Sequence, residues 1–105
     1  MQEAEFHDVV DDIVMQLEDE LEDYPEDLDV ENASGILTVQ FPNGSTVVVS
    51  RQIATLEIWV AARSGGFHLK HQNGNWICGT TDESLPALIS RVFSEQLGRE
   101  VELLA

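Results

Sequence analysis

A chain of 105 residues with a formal net charge of −15 is a single domain's worth of polypeptide, able to bury roughly two-thirds of its unfolded surface around one core. That charge excludes nucleic acid and anionic membrane as partners, since five basic residues against twenty acidic ones cannot neutralise phosphates. The lone Cys78 excludes an internal disulfide or a Cys-ligated zinc or iron–sulfur site held by one chain.

The acids are not spread evenly. Glu3 to Glu31 holds fourteen of the twenty and no Lys or Arg, whereas residues 32–105 carry six acids against five bases. A regional excess of this kind points to a surface for cations or for a basic partner rather than to general solubility. The acidic N-terminus is the reverse of a targeting peptide, and no apolar run reaches the roughly eighteen residues of a membrane span, so a reducing cytoplasmic setting is expected.

Phe6, Val9, Val10, Ile13, Leu17, Leu21 and Tyr24 recur at three-and-four spacing and predict an amphipathic helix over about residues 2–24, stopped by Pro25. Asp8, Asp11, Asp12, Asp19 and Glu22 project to the opposite side, flanked by Glu18 and Asp23. The pairs Glu18/Glu22 and Asp19/Asp23 are like charges at i, i+4 and repel by about a few tenths of a kcal/mol each. They also lie in the last turns, where the helix dipole favours cations. Stability alone does not choose this arrangement. Nearer the start, Glu3, His7 and Asp11 follow one another at i, i+4 and i+8, close enough for two or three to share an ion; the plainer alternative is an ordinary surface histidine.

Leu28 to Glu31 alternates apolar and acidic, as a half-buried strand does. A turn at Ala33-Ser34-Gly35 precedes a second strand with Leu37, Val39 and Phe41 on one face. Asn43-Gly44 predicts a type I′ hairpin turn into a third strand, Thr46 to Ser50. Leu56, Ile58, Val60 and Ala62 form the apolar row of a fourth strand, and Glu57, Trp59, Ala61 and Arg63 its other face, so Trp59 is expected to be exposed. Phe67 to Lys70 and Trp76 to Cys78 give a fifth and a sixth strand, separated by a Gln72 to Asn75 turn. Trp76 and Cys78 read as core, and His68 and His71 as surface residues. Asp82 or Ser84 caps a second helix with Pro86 in its first turn and Gly98 closing it. Val101, Leu103 and Leu104 are placed to cover the groove between the helices. Two amphipathic helices and consecutive antiparallel strands define an α+β fold over residues 1–105, a two-layer sandwich with both helices on one face of a sheet of about six strands.

Glu5-Phe6-His7, Asn43-Gly44-Ser45 before a valine-rich strand, Arg51-Gln52, Ile58-Trp59, Gly65-Gly66-Phe67-His68 and Trp76-Ile77-Cys78 together, in this order and spacing, resemble the bacterial frataxin family of the CyaY type. The resemblance covers essentially the whole chain, and the family's fold agrees with the one read from periodicity. It implies a non-enzymatic, iron-binding regulator of iron–sulfur cluster assembly, with the cysteine desulfurase and the scaffold protein as partners. It maps the family's acidic ridge to Glu18, Asp19, Glu22, Asp23, Asp29 and Glu31, its sheet Trp to Trp59 and the neighbouring polar position to Gln52. Ser50 stands where Asn is usual, and Ala54 where Pro is usual.

Carboxylates are hard oxygen ligands, so the ridge suits ferrous or ferric iron bound weakly at several places, with other divalent or trivalent cations admitted. The same four helical acids would dock on a basic surface of the desulfurase, and Trp59 with Gln52 and Arg63 would supply an anchor. No catalytic residue is expected, because no nucleophile–base pair has local support. The rival reading is a metal-independent acidic protein that covers a basic site on a partner. A monomer is expected, with metal-dependent self-association as its alternative.

Overall fold

The computed structural model describes residues 1–105 and forms the α+β sandwich expected. Helix α1 (Glu3–Leu21) is followed by β1 (Asp29–Ala33), β2 (Ile36–Gln40), β3 (Thr46–Gln52), β4 (Glu57–Ala62), β5 (Gly65–Gln72), β6 (Asn75–Cys78) and helix α2 (Leu85–Leu97). The six strands pair antiparallel in sequence order. Alternate residues such as Leu37, Val49, Ile58 and Leu69 are buried against Phe6, Val10, Val14 and Leu17 of α1 and Leu88, Ile89, Val92 and Phe93 of α2 in one apolar cluster. The other sheet face carries no helix.

Helix α1 ends at Leu21, short of the predicted Tyr24. Its last turn contains no base to answer the carbonyl dipole, and Glu22 and Tyr24 fold back instead through bonds from their N–H groups to Asp19 O (3.3 Å) and Leu21 O (3.2 Å). The turn at Asn43-Gly44 is not type I′, which needs left-handed backbone at both central residues. Only Gly44 is left-handed (φ 87°), while Gly44 N donates to Phe41 O and Phe41 N to Ser45 O, both at 2.9 Å. Pro42, fixed near φ of about −65°, takes the second position of a Phe41–Gly44 turn and moves the loop to the three-residue form with Gly in the left-handed place.

Ser84, not Asp82, caps α2: its Oγ accepts from Ala87 N at 3.4 Å, and Gly98 (φ 74°) closes the helix. The tail lies between the helices as expected, with Leu103 buried. Ser94 Oγ and Ser90 Oγ accept from the N–H groups of Val101 and Leu103 at 2.9 Å each, and Glu20 Oε1 of α1 accepts from Leu104 N at 2.9 Å. The sheet's two margins differ. The outer side of β1 meets no further strand, whereas β6 is met by Glu83 and Ser84, through Cys78 N donating to Glu83 O at 2.8 Å and a bridge between Ile77 and Ser84.

Candidate functional site

The acidic surface is assembled by two adjoining elements. Asp19, Glu22 and Asp23 at the end of α1 and Asp29 and Glu31 on β1 are exposed, and half-buried Glu18 accepts from Asn32 Nδ2 of β1 at 3.1 Å, tying helix to strand. Between them runs a groove lined by Glu18, Glu22, Glu26, Asp27 and Asp29. The four ion pairs of the molecule are Arg51–Asp11, Arg91–Glu83, Arg91–Glu95 and Arg99–Glu26, so none touches Glu18, Asp19, Glu22, Asp23, Asp29 or Glu31. Two nearby acids are spoken for. Glu26 receives a two-pronged bond from Arg99 (2.6 and 2.9 Å), which holds its carboxyl below the usual range, and Glu20 accepts from Gln16 and Leu104. Asp27 joins the groove without having been singled out in the sequence; the acidic bias of the loop was its only signal.

No three His, Cys, Asp or Glu side chains converge as a closed metal cage. At the other end of α1, His7 and Asp11 share a face but meet a cation of the protein itself. Arg51 of β3 donates to Asp11 Oδ1 at 2.9 Å and to Gly35 O at 3.3 Å, and contacts His7 Nδ1 at 3.1 Å. Glu3 stays exposed and outside this cluster.

On the uncovered sheet face, Trp59 is half-buried, not open to water as its alternation with Ile58 and Val60 predicts. Its cross-strand partner His68 stacks on the indole with ring centres 4.2 Å apart and planes 10° from parallel. Trp59 Nε1 also donates to Glu57 Oε1 at 3.3 Å. Glu57 is itself buried on this face, and the Thr55 hydroxyl, donating at 2.7 Å, holds its carboxyl below the usual range against the cost of burial. The indole is therefore a braced plate. Half-buried Gln52 pairs with Glu57 across β3 and β4, whereas exposed Arg63 lies beyond the sheet in the turn after β4. Glu57 was not foreseen, because an acid at an alternating outward position ordinarily reads as solvated.

A buried hub was also missed. Gln96 of α2 donates to Ser45 Oγ (2.9 Å) and Thr46 O (3.2 Å) and accepts from Arg63 N (3.0 Å), fastening α2 to the β2–β3 turn and the end of β4. Trp76 and Cys78 are core, as expected. Burial raises the Cys78 thiol, but hydrogen bonds with Thr80 and Thr81 outweigh it and bring it to about 7. Full burial still denies that thiol a reaction partner.

The model of the frataxin-like domain matches residues 1–99. The iron–sulfur cluster assembly protein CyaY of Azotobacter vinelandii is 46% identical over 102 residues, covering 95% of this chain and 93% of that protein. The protein of the same name from Pseudomonas aeruginosa is 48% identical over 104 residues, covering 97% and 96%. Among solved structures, frataxin from Psychromonas ingrahamii superposes with a TM-score of 0.86 at 25% identity, covering 96% of each chain. Trimeric frataxin from the yeast Saccharomyces cerevisiae, complexed with ferrous iron, superposes with a TM-score of 0.72 at 26% identity, covering 94% of this chain and 88% of that one.

Proposed function

The chain belongs to the frataxin-like family, among its bacterial CyaY members, and from that premise we propose that it serves iron–sulfur cluster assembly without being an enzyme. In this reading it carries ferrous or ferric iron loosely on Glu18, Asp19, Glu22, Asp23, Asp29 and Glu31 and docks on the cysteine desulfurase and scaffold that build the cluster. The observation that carries it is six neighbouring carboxylates with no ion pair to any base of the chain. The names of the bacterial relatives and the ferrous complex of the yeast frataxin support the same reading.

Exposed carboxylates exchange water for a cation with little net gain, so each holds iron weakly and releases it readily. That suits a carrier. The charge that draws iron would also draw a basic surface of the desulfurase, with Trp59, Gln52 and Arg63 adding contact on the uncovered face. An ion on the ridge removes part of that attraction, so iron and the desulfurase compete through one surface. It also lessens repulsion between two copies, the route by which metal would drive self-association.

A second reading is favoured by the absence of three converging ligands: a metal-independent acidic cover for a basic site on the partner. An anaerobic ferrous titration followed by backbone NMR separates the two. Shifts confined to residues 18–31 are expected. No shift there, with desulfurase binding retained, leaves the acidic cover as the function. Reversing the charge of Glu18, Asp19, Glu22 and Asp23 together is expected to weaken desulfurase binding by at least about tenfold. Unchanged affinity rules out the ridge as the docking surface.

A further inference from the structure

We propose that Arg51 is an internal counter-ion that closes the His7–Asp11 pair of α1 to metal, leaving cations to the acids at the other end of the same helix. The proposal deepens the reading of the acidic surface as an iron carrier and rests on it.

Helix α1 has acids along its whole length, yet the one place where a histidine and a carboxylate stand together, His7 and Asp11, is the one met by a cation of the protein itself. At the C-terminal end Arg99 is held by Glu26, and Glu18, Asp19, Glu22 and Asp23 form no ion pair. At the N-terminal end Arg51 reaches across from β3 with only 11% of its side chain exposed and grips His7, Asp11 and the Gly35 carbonyl at once. A guanidinium has five N–H donors and no acceptor, so His7 Nδ1 must be the acceptor in its contact with Arg51. In that tautomer the ring proton sits on Nε2. A metal on Nε2 would require that proton to move to Nδ1, where it would face the guanidinium N–H.

Asp11 retains one outward oxygen, but a cation approaching it meets the charge of the guanidinium at close range. Arg51 is held there from two sides, by Asp11 of α1 and by the carbonyl of Gly35, whose left-handed backbone (φ 77°) shapes the turn that the guanidinium packs against. The residues at this place, a histidine and a carboxylate one turn apart, have the right chemistry for a transition metal and the wrong neighbour.

The test uses the full-length, isotope-labelled chain and Mn²⁺ alone as an air-stable stand-in for ferrous iron, read by paramagnetic broadening residue by residue. In the natural protein, Glu22, Asp23 and Asp29 are expected to broaden at lower Mn²⁺ than His7 and Asp11. In Arg51→Gln, the His7–Asp11 site is expected to tighten on the order of tenfold, with the ridge little changed. Arg51→Lys, which keeps the charge but loses the fork, should fall between the two and serves if Arg51→Gln does not fold. Broadening of His7 as early as Glu22 in the natural protein overturns the proposal, as does a failure of both variants to tighten His7–Asp11. A site gained at His7–Asp11 in a protein whose ridge binds nothing upholds the role of Arg51 and removes the ridge as the iron carrier.

Discussion

Glu83 joins a strand margin to a helix by a single carboxylate. Arg91 of α2 donates to both of its oxygens at 2.9 Å while lying 5.4 Å from the centre of the Phe67 ring, and Cys78 of β6 bonds to the Glu83 backbone. The Arg91 bond holds the Glu83 carboxyl below its ordinary value of 4.5, outweighing burial. A depressed native value means that the stabilisation is fully present above the unfolded-state value and is lost as pH falls through the native one. Arg91→Met should therefore cost stability at neutral pH, and urea unfolding should show that deficit shrinking below about pH 4.5 as the natural protein loses its own advantage. A deficit that stays constant down to about pH 3 would assign the effect of Arg91 to packing on Phe67 alone. None of this could be read from the chain, since Glu83 and Arg91 are eight residues apart across a cap. The same holds for Arg51, whose partners His7 and Asp11 are 44 and 40 residues away. Local spacing names candidate ligands; it does not say which base folds back onto them.

The elements themselves were largely legible because each is patterned on its own. The apolar stripe of α1, the alternation of β2 to β5 and the Ser84, Pro86 and Gly98 signals of α2 need no distant information. Errors arose where a neighbour intervened: Pro42 changed the Asn43-Gly44 turn, and His68, placed opposite Trp59 by strand pairing, half covered a side chain that alternation left open. The left-handed Leu56 (φ 53°) likewise delayed β4 to Glu57. In α1 the pattern also carries a cost, since its last turn has acids and no base. Asp19→Asn and Glu22→Gln should each stabilise the fold by about 0.3–1 kcal/mol in urea unfolding while weakening Mn²⁺ binding at the ridge. Neutral variants that are no more stable than the natural chain would mean that the ridge acids are already answered in the fold, and the energetic argument for their function would lapse.

At the scale of the molecule, a net charge of −15 on 105 residues makes the compact state repel itself. Thermal stability should rise with NaCl as repulsion is screened, and rise further when Mg²⁺ or Mn²⁺ replaces Na⁺ at equal ionic strength, because a divalent ion placed between two carboxylates acts beyond screening. Calorimetry at matched ionic strength checks this; equal melting temperatures in the two salts would show that no specific cation surface exists. The margins of the sheet bear on what happens between molecules. With β6 occupied by its own Glu83–Ser84 segment and only β1 unpaired, each copy offers a single backbone socket. Units with one socket can end a growing polymer or join once into a closed couple, but they cannot lengthen into a fibril, and any such couple would bring Asp29 and Glu31 of two copies together.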